Sequence, residues 1–376
     1  MTKLDVLIIG AGQAGLALGY HLQKTRLRFQ LVERNEHIGD TWRRRRYDSL
    51  VLFTPRAYSS LPGLPFVGDP DGYPSKDEFA EYLETYARHL NLPAITGTGI
   101  QSLERLGDGY CATTDDGAVI EARSVVLATG AFQSPVIPPI GNQLSAEVLQ
   151  ITAGEYRNAR QIPAEAVVLV VGDGAAGRDI ALELADGHKV LLAAGHTRKL
   201  FPQRVLGKSI WWWLDIFGIM RLSAETALGR RMRKAEPFTD KGNTLKDLKD
   251  QGVQVLPKLV AAQGQSVTFA DGTLAKVTAI VWATGYRDSS AWVAIPEVKD
   301  AQGNFVQEQG IAPIPNFYFI GRPWQRSRGS ALIMGVGEDA AWITAHIVAD
   351  LAEVQQLEGM APRSQPAPLR ETGATT

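Results

Sequence analysis

Two short apolar runs, each closed by a glycine-rich turn, dominate the hydrophobic pattern. Val6, Leu7, Ile8 and Ile9 run into GAGQAG at Gly10 to Gly15, and Val167 to Val171 run into GDGAAG at Gly172 to Gly177. Unbroken β-branched runs of this length suit strands buried on both faces of a parallel sheet, and each turn opens a helical pattern. Phe29 to Val32 and Val190 to Ala194 read as the strands that follow those helices. Ser124 to Ala128 and Ala279 to Ala283 read as two more, each ending in Thr-Gly. Between Lys76 and Leu90 the pattern changes period: Phe79, Tyr82, Leu83, Tyr86 and Leu90 form one core-facing helical stripe. Residues Gly99 to Glu121 alternate and turn at Gly107-Asp108-Gly109 and Asp115-Asp116-Gly117, as a small antiparallel sheet does. The irregular stretch from Asn35 to Ser75 is long for a compact domain, and such insertions are usually functional. Further strand and helix signals fall at Phe317 to Ile320 and at about Gly337 to Leu351.

The turns carry the first chemistry. In a strand–turn–helix context the first glycine makes the tight turn, the second lets backbone approach a pyrophosphate, and the third packs helix on strand. Amides at the helix N-terminus and its dipole then favour phosphate. Gly10, Gly12 and Gly15 fill these roles in the first copy, and Gly172, Gly174 and Gly177 in the second. The end of the next strand separates the copies. Glu33 closes the first, placed to bind a free ribose 2'-hydroxyl, which suits FAD or NAD. The second offers no acid there but Gly195, His196, Thr197, Arg198 and Lys199, with Arg204 beyond, and that basic cluster suits the 2'-phosphate of NADPH. The competing reading makes these cations ordinary solvated charges.

Composition narrows the classes. With 376 residues the chain suits two or three domains at about 150 residues each. Lys plus Arg number 39 against 40 Asp plus Glu, so no global charge argues for nucleic acid. Cys111 is the single cysteine, which excludes a CxxC dithiol and the thioredoxin-reductase type of electron transfer, and six scattered histidines argue against a metal site. The first core strand begins by Leu4, and a cytoplasmic location is expected.

Beyond composition, GAGQAG, Glu33, GDTWRRRRYDSL, LPGLPF, YPSKDEFAEYLETYA, LATG, GEYRN, VVGDGAAG, WATGY and FYFIGRPWQRSRGSAL stand in this order from Leu4 to about Ala352. In them the chain resembles the flavin-containing monooxygenase superfamily, most of all its compact bacterial and plant YUCCA-type members. The resemblance implies an α/β fold with two Rossmann-like dinucleotide-binding domains, the NADPH domain (151–285) inserted into an FAD domain (1–150 and 286–361), with an aromatic helical insertion at about 205–250 and a disordered tail at 362–376. It also implies that FAD is held by Gly10, Gly12, Gln13, Ala14, Gly15, Glu33, Arg34, Thr41, Trp42 and Arg43, by Ile100, Ala128, Thr129 and Gly130, and by Gly321, Trp324, Gln325 and Leu332. Of the run Arg43 to Arg46, Arg43 is expected to serve FAD, with at least two of its neighbours in solvent. NADPH is then expected on Gly172, Gly174, Ala175, Ala176 and Gly177, with His196, Arg198, Lys199 and Arg204 at its phosphate.

The activity implied is oxygenation of a small organic substrate, a soft sulfur or nitrogen nucleophile or a carbonyl, by molecular oxygen through a flavin C4a-hydroperoxide. The cofactors carry this chemistry, so no residue is assigned as acid–base catalyst. Three departures from the family pattern bear on it: Thr152 where a histidine is usual, Ala175-Ala176 where Asn-Ser is common, and Pro55 where animal-type members have asparagine. They predict some uncoupling to hydrogen peroxide. They also keep two competitors in play, an NADPH-dependent flavin oxidase or reductase, and a redox-regulatory flavoprotein linked to ion transport or resistance. The least typical stretch is Ile210 to Met220, with Trp211, Trp212 and Trp213. It is too short to span a bilayer and is expected as a helical cap burying three tryptophans against the NADPH domain. The other readings are a lid over a substrate channel, a homodimer contact, or shallow attachment to a membrane surface beside Arg230, Arg231, Arg233 and Lys234.

Overall fold

A computed structural model of the protein describes residues 3–195, 200–235 and 238–360. The chain opens with β1 (Leu4–Ile9), α1 (Gln13–Leu22) and β2 (Phe29–Val32). It then passes through α2 (Asp40–Arg44) and α3 (Lys76–His89) to β3 (Ala94–Ile95), β4 (Ile100–Leu106), β5 (Gly109–Thr114) and β6 (Val119–Leu127). These strands form one sheet in the order β3-β2-β1-β6-β5-β4. Strand β6 serves it twice. Its first half pairs antiparallel with β5, and its second half runs parallel beside β1, Ile9 opposite Leu127. Polar turns at both ends of β5 allow the meander, and the apolar half of β6 is buried on both faces, as a parallel strand requires.

Helix α3 is specified at its start. Ser75 Oγ accepts from the Glu78 amide at 3.2 Å while the Ser75 amide donates to Glu78 Oε2 at 2.8 Å, a closed capping box. Acids in the first turn and Arg88 and His89 in the last oppose the helix dipole. Its buried stripe, Phe79, Tyr82, Leu83 and Tyr86, packs with α1 on one face of the sheet.

After β7 (Ser134–Pro135) the chain builds a second sheet from β8 (Leu149–Thr152), β9 (Val167–Val171), α4 (Ala175–Ala185) and β10 (Lys189–Ala193). It leaves this sheet for β11 (Leu200–Pro202), β12 (Arg204–Val205), β13 (Lys208–Ser209), α5 (Ile210–Ile216), α6 (Ala227–Ala235) and β14 (Phe238–Asp240). It rejoins with α7 (Leu245–Asp250) and β15 (Gln254–Leu256). A three-stranded antiparallel sheet, β16 (Leu259–Gln263), β17 (Ser266–Phe269) and β18 (Leu274–Lys276), precedes β19 (Ala279–Trp282). The parallel order is β15-β10-β9-β19-β8. Strand β20 (Tyr286–Arg287) then pairs antiparallel with β7, so both crossings between the sheets run side by side. Strand β21 (Phe317–Phe319) returns to the first sheet against β6, and α8 (Ile333–Met360) packs on α1. The fold is thus α/β, with one parallel-sheet unit set into another.

Two boundaries and one burial pattern differ from the sequence reading. Helix α8 begins at Ile333 rather than near Gly337, because Gly335 is used inside it: a Cβ there would lie 2.3 Å from the Gly329 carbonyl oxygen, so the glycine admits a close backbone crossing instead of ending the helix. Helix α7 lies at the end of the expected aromatic insertion, yet its Leu248 is fully buried in the core of the second sheet with Val168 and Val190. The aromatic segment itself does not bury three tryptophans on the second sheet. Only Trp211 is buried, and its Nε1 donates to the Phe53 carbonyl at 2.7 Å, in the irregular 35–75 stretch of the other unit. Trp212 and Trp213 are half-buried and pack on one another and on the exposed Phe217. Among the described residues no helix is long and apolar enough to cross a membrane.

Candidate functional site

The two glycine turns take the same shape. Gly10 has φ +108° and Gly172 φ +107°, a region open to glycine. A Cβ on Gly15 would stand 2.0 Å from the Gly10 carbonyl oxygen, and one on Gly177 1.9 Å from that of Gly172. Each third glycine therefore lets a helix start against its own turn. The middle glycines differ in kind: a Cβ on Gly12 or Gly174 would meet nothing within 4 Å. Both are the N-cap residues of their helices with no side-chain cap, so the amides of the first turn face open space. An open position in front of uncapped amides is the fit expected for a pyrophosphate.

Each turn also lies at the carboxyl end of its sheet where the strand order reverses, between β1 and β6 and between β9 and β19. The two Ala-Thr-Gly segments are the neighbouring strand ends. A Cβ on Gly10 would come 2.6 Å from the Ala128 carbonyl oxygen, and one on Gly172 2.4 Å from that of Ala283. Thr129 Oγ1 accepts from Gln133 at 2.9 Å and Gly130 turns the chain at φ +69°.

Around the first turn the structure gathers most of the expected residues. Glu33 accepts the Ala11 amide at 3.0 Å on one carboxylate oxygen, and the Asn35 amide at 3.0 Å and Asn35 Nδ2 at 2.6 Å on the other. A carboxylate offers about four acceptor positions, which leaves capacity for hydroxyls. Thr41 Oγ1 lies 3.4 Å from Asn35 Nδ2, and Trp42 Nε1 is 3.4 Å from Gln13 Oε1 at the start of α1. A Cβ on Gly321, at φ +80°, would come 2.7 Å from the Ala14 Cβ, so the end of β21 also abuts that helix start. Leu332 immediately precedes α8, and Trp324 holds a left-handed φ of +57°. Such a conformation costs a non-glycine residue of order 1–3 kcal/mol and clusters at functional sites.

Other residues are placed differently. Arg43 is spent on protein: Nη1 donates to the Ile38 carbonyl at 2.9 Å and pairs with Asp40 at 3.3 Å, while Nη2 pairs with Glu84 at 2.7 Å. Two acids and a carbonyl thus take three of the five guanidinium donors, so Arg43 is anchored to protein around α2 and α3. Arg44 and Arg45 are exposed, and it is Arg46 that lies over the Trp42 ring at 5.3 Å. Ile100 is buried with Leu103, Tyr110 and Leu127 on one face of the sheet. The Gln325 amide ties its own loop, donating to the Phe319 carbonyl at 2.9 Å and accepting from the Arg322 amide at 3.3 Å. Arg34 is exposed beside Gly99.

At the second turn Ala175 and Ala176 are the first two residues of α4 and are half-buried. His196, Arg198 and Lys199 lie outside the described residues. Arg204 is half-exposed on β12 and pairs with Asp71 at 3.5 Å, an exposed bridge worth about 0–1 kcal/mol. Thr152 is buried, its hydroxyl and amide both held by Glu155 Oε2 at 2.8 Å. The sequence assigns no role to Asn35, nor to Arg157 and Tyr286 within GEYRN and WATGY, and Arg46 stands in it as one of four adjacent arginines. Asn35 is legible in hindsight as an amide two residues past the acid, but nothing in a run of four arginines tells which one turns inward.

Against known proteins, residues 7–204 match the model of the pyridine nucleotide-disulphide oxidoreductase family. A CzcO-like uncharacterized oxidoreductase of Geobacillus kaustophilus is 43% identical over 347 residues, covering 92% of this chain and 98% of that protein. An indole-3-pyruvate monooxygenase, YUCCA1 of rice, is 28% identical over 82% of each chain. Among solved structures, a flavin-containing monooxygenase of Stenotrophomonas maltophilia shares the fold with a TM-score of 0.78 at 24% identity, over 93% of this chain and 99% of that one. The chain belongs to the pyridine nucleotide-disulphide oxidoreductase family, and its likeness to YUCCA and flavin-containing monooxygenases supports a place in the class B flavoprotein monooxygenase superfamily. It is an oxidoreductase of the kind that works with a flavin and a nicotinamide nucleotide.

Proposed function

We propose that the protein is an FAD- and NADPH-dependent monooxygenase. On this reading it transfers one oxygen atom of dioxygen to a small organic substrate, a soft sulfur or nitrogen nucleophile or a carbonyl, and releases the other as water. The observation that carries the proposal is a pair of matching open cradles with unequal flanks. Glu33 retains acceptor capacity at the first for a ribose diol, while Ala194 and Gly195 follow the strand of the second with no acid. The chemistry a bound flavin supplies is acceptance of a hydride from NADPH and activation of dioxygen.

The chain's own share is positioning. Uncapped amides of α1 and α4 hold two pyrophosphates, the strand ends at Ala128 and Ala283 fix the turns from below, and the Gly321 loop closes on Ala14. None of the residues gathered there needs to move a proton for oxygen to pass to sulfur or nitrogen. A second reading, an NADPH oxidase that yields only hydrogen peroxide, is favoured by one feature: Ala175 and Ala176 add no side-chain donor at the nucleotide helix. The deciding measurement is stoichiometry with a thioether such as methyl phenyl sulfide. The monooxygenase reading expects sulfoxide to account for a large share of the NADPH consumed, with the remainder as peroxide. Peroxide equal to NADPH, with no sulfoxide, ketone or amine oxidation, would select the oxidase.

A further inference from the structure

Two arginines outside both cradles meet at the seam between the sheet units. Arg46 ends the arginine run of the first unit, and Arg157 follows β8 in the second, with its Nη1 3.4 Å from the Arg46 carbonyl oxygen. The Arg46 guanidinium lies over the rings of Trp42 at 5.3 Å and Phe132 at 4.9 Å, and donates Nη1 to the Arg45 carbonyl at 2.8 Å. Arg157 donates to the carbonyls of Gly154 at 3.0 Å and Tyr156 at 3.1 Å. Neither forms an ion pair with a carboxylate among the described residues. The acids of the surrounding segments are engaged elsewhere. Asp48 accepts from Asn158, Asp179 accepts from Tyr47 and Asn243 and pairs with Lys241 at 3.7 Å, Glu183 accepts from Tyr156 and Ser49, and Glu155 from Thr152.

A third donor stands beside them. Tyr286 packs edge-on against Phe132 at 5.2 Å, and its hydroxyl oxygen would lie 3.0 Å from a Cβ on Gly154, the residue whose carbonyl Arg157 binds. Like charge at close range and partial desolvation both raise the cost of holding these guanidiniums together, and burial lowers the Arg46 pKa from its ordinary value. An anion relieves both costs at once, and the planar guanidinium forks match a carboxylate or phosphate.

We infer that Arg46, Arg157 and Tyr286 form an oxyanion subsite at the seam, which takes either the carboxylate of a small substrate or a phosphate group of the pyridine nucleotide. The site joins the two cradles through short links: Trp42 touches Gln13 at the start of α1, Phe132 follows Gly130, and Tyr286 follows Gly285. An anion held there bridges one arginine from each unit. Which of the two sources supplies it rests on the monooxygenase reading; the existence of the subsite does not.

The test is direct binding by titration calorimetry on the full-length protein, with inorganic pyrophosphate and with para-methylthiobenzoate as probes and neutral thioanisole as the control. Arg46→Gln and Arg157→Gln are each expected to weaken the bound oxyanion by about tenfold to a hundredfold, the range of a charge-assisted hydrogen bond. Arg46→Lys and Tyr286→Phe are expected to lose less, and both report on the site if a glutamine variant fails to fold. Loss confined to pyrophosphate and NADP assigns the subsite to the nucleotide. Loss confined to the benzoate, with thioanisole unaffected, assigns it to substrate. The inference is overturned if neither probe binds the wild-type protein, or if the variants bind both as the wild type does. Turnover does not enter the readout, so a protein that oxygenates nothing yet loses pyrophosphate binding in Arg46→Gln would end the monooxygenase reading and keep the subsite.

Discussion

Single glycines separate structural from binding roles in these cradles. Gly177 has no room for a methyl group, so Gly177→Ala must shift the turn and is expected to cost about 1–3 kcal/mol or more in stability. Gly174 has open space ahead of it and an extended backbone at φ −70° that any residue adopts, so Gly174→Ala should leave stability within about 0.5 kcal/mol. Its methyl group would instead occupy the path of the nucleotide. The expected outcome is an unchanged melting temperature with NADPH affinity reduced at least severalfold, measured by thermal unfolding and by binding titration. Equal affinity in Gly174→Ala would show that this turn does not face the nucleotide. A second prediction concerns Asp339, which is buried on α8 with one carboxylate oxygen 3.2 Å from Arg326 Nη1. Burial raises its pKa above 3.8. The folded protein therefore binds the proton more tightly than the unfolded chain, so the contribution is fully present below 3.8 and is lost as pH rises through the folded pKa. The melting-temperature difference between wild type and Asp339→Asn should accordingly move against the wild type as pH climbs through the window just above 3.8. A difference that is flat or moves the other way refutes the assignment.

Elements tie the two units together where the sequence pattern is least regular. The segment between β10 and α7 reaches the first unit at several points. Trp211 binds the Phe53 carbonyl, Lys241 donates to the Val51 carbonyl and lies 3.6 Å from the centre of the Phe53 ring, and the Gly329 amide donates to the Met220 carbonyl at 2.7 Å. Trp211 is the buried anchor of α5, and truncating a buried tryptophan costs about 3–5 kcal/mol. Trp211→Ala is expected to release the strap, seen as faster limited proteolysis between residues 200 and 244, with FAD content retained. Phe217→Ser, at a site 69% exposed, should leave the proteolysis rate as it was. The strands and α3 were legible because burial marks the local sequence: Val6 to Ile9 and Val167 to Val171 are unbroken apolar runs in sheet interiors, and α3 carries a stripe of helical period after the local Ser75–Glu78 box. The strap was not, because its partner Phe53 is far away in sequence and lies in a stretch without periodicity. The start of α8 was missed for a related reason, since Gly335 signals a close contact with Gly329 that only the tertiary structure reveals.

At the scale of the whole molecule, coupling is a property of both units together. On the proposed reading oxygen activation belongs to the first cradle and the retained nucleotide to the second, and the paired crossings β7 and β20 join the two sheets. If that reading holds, retention of the oxidised nucleotide would exclude water from the seam, and its residence time would set how much reducing power ends as peroxide. Ala175 and Ala176 open α4 with side chains that donate nothing, which would leave backbone amides and dipole to hold a pyrophosphate there. Restoring polar side chains at these half-buried positions, as Ala175→Asn with Ala176→Ser, adds donors at a helix N-terminus without filling the Gly174 space. The double variant is expected to bind NADP more tightly and to release severalfold less peroxide per NADPH in the presence of an oxidisable thioether. Its maximal rate is expected to fall if nucleotide release limits turnover, because tighter retention slows that step. Peroxide yield measured alongside NADP affinity decides the matter: tighter binding with unchanged peroxide would place the leak at the first cradle, and the coupling argument would fail.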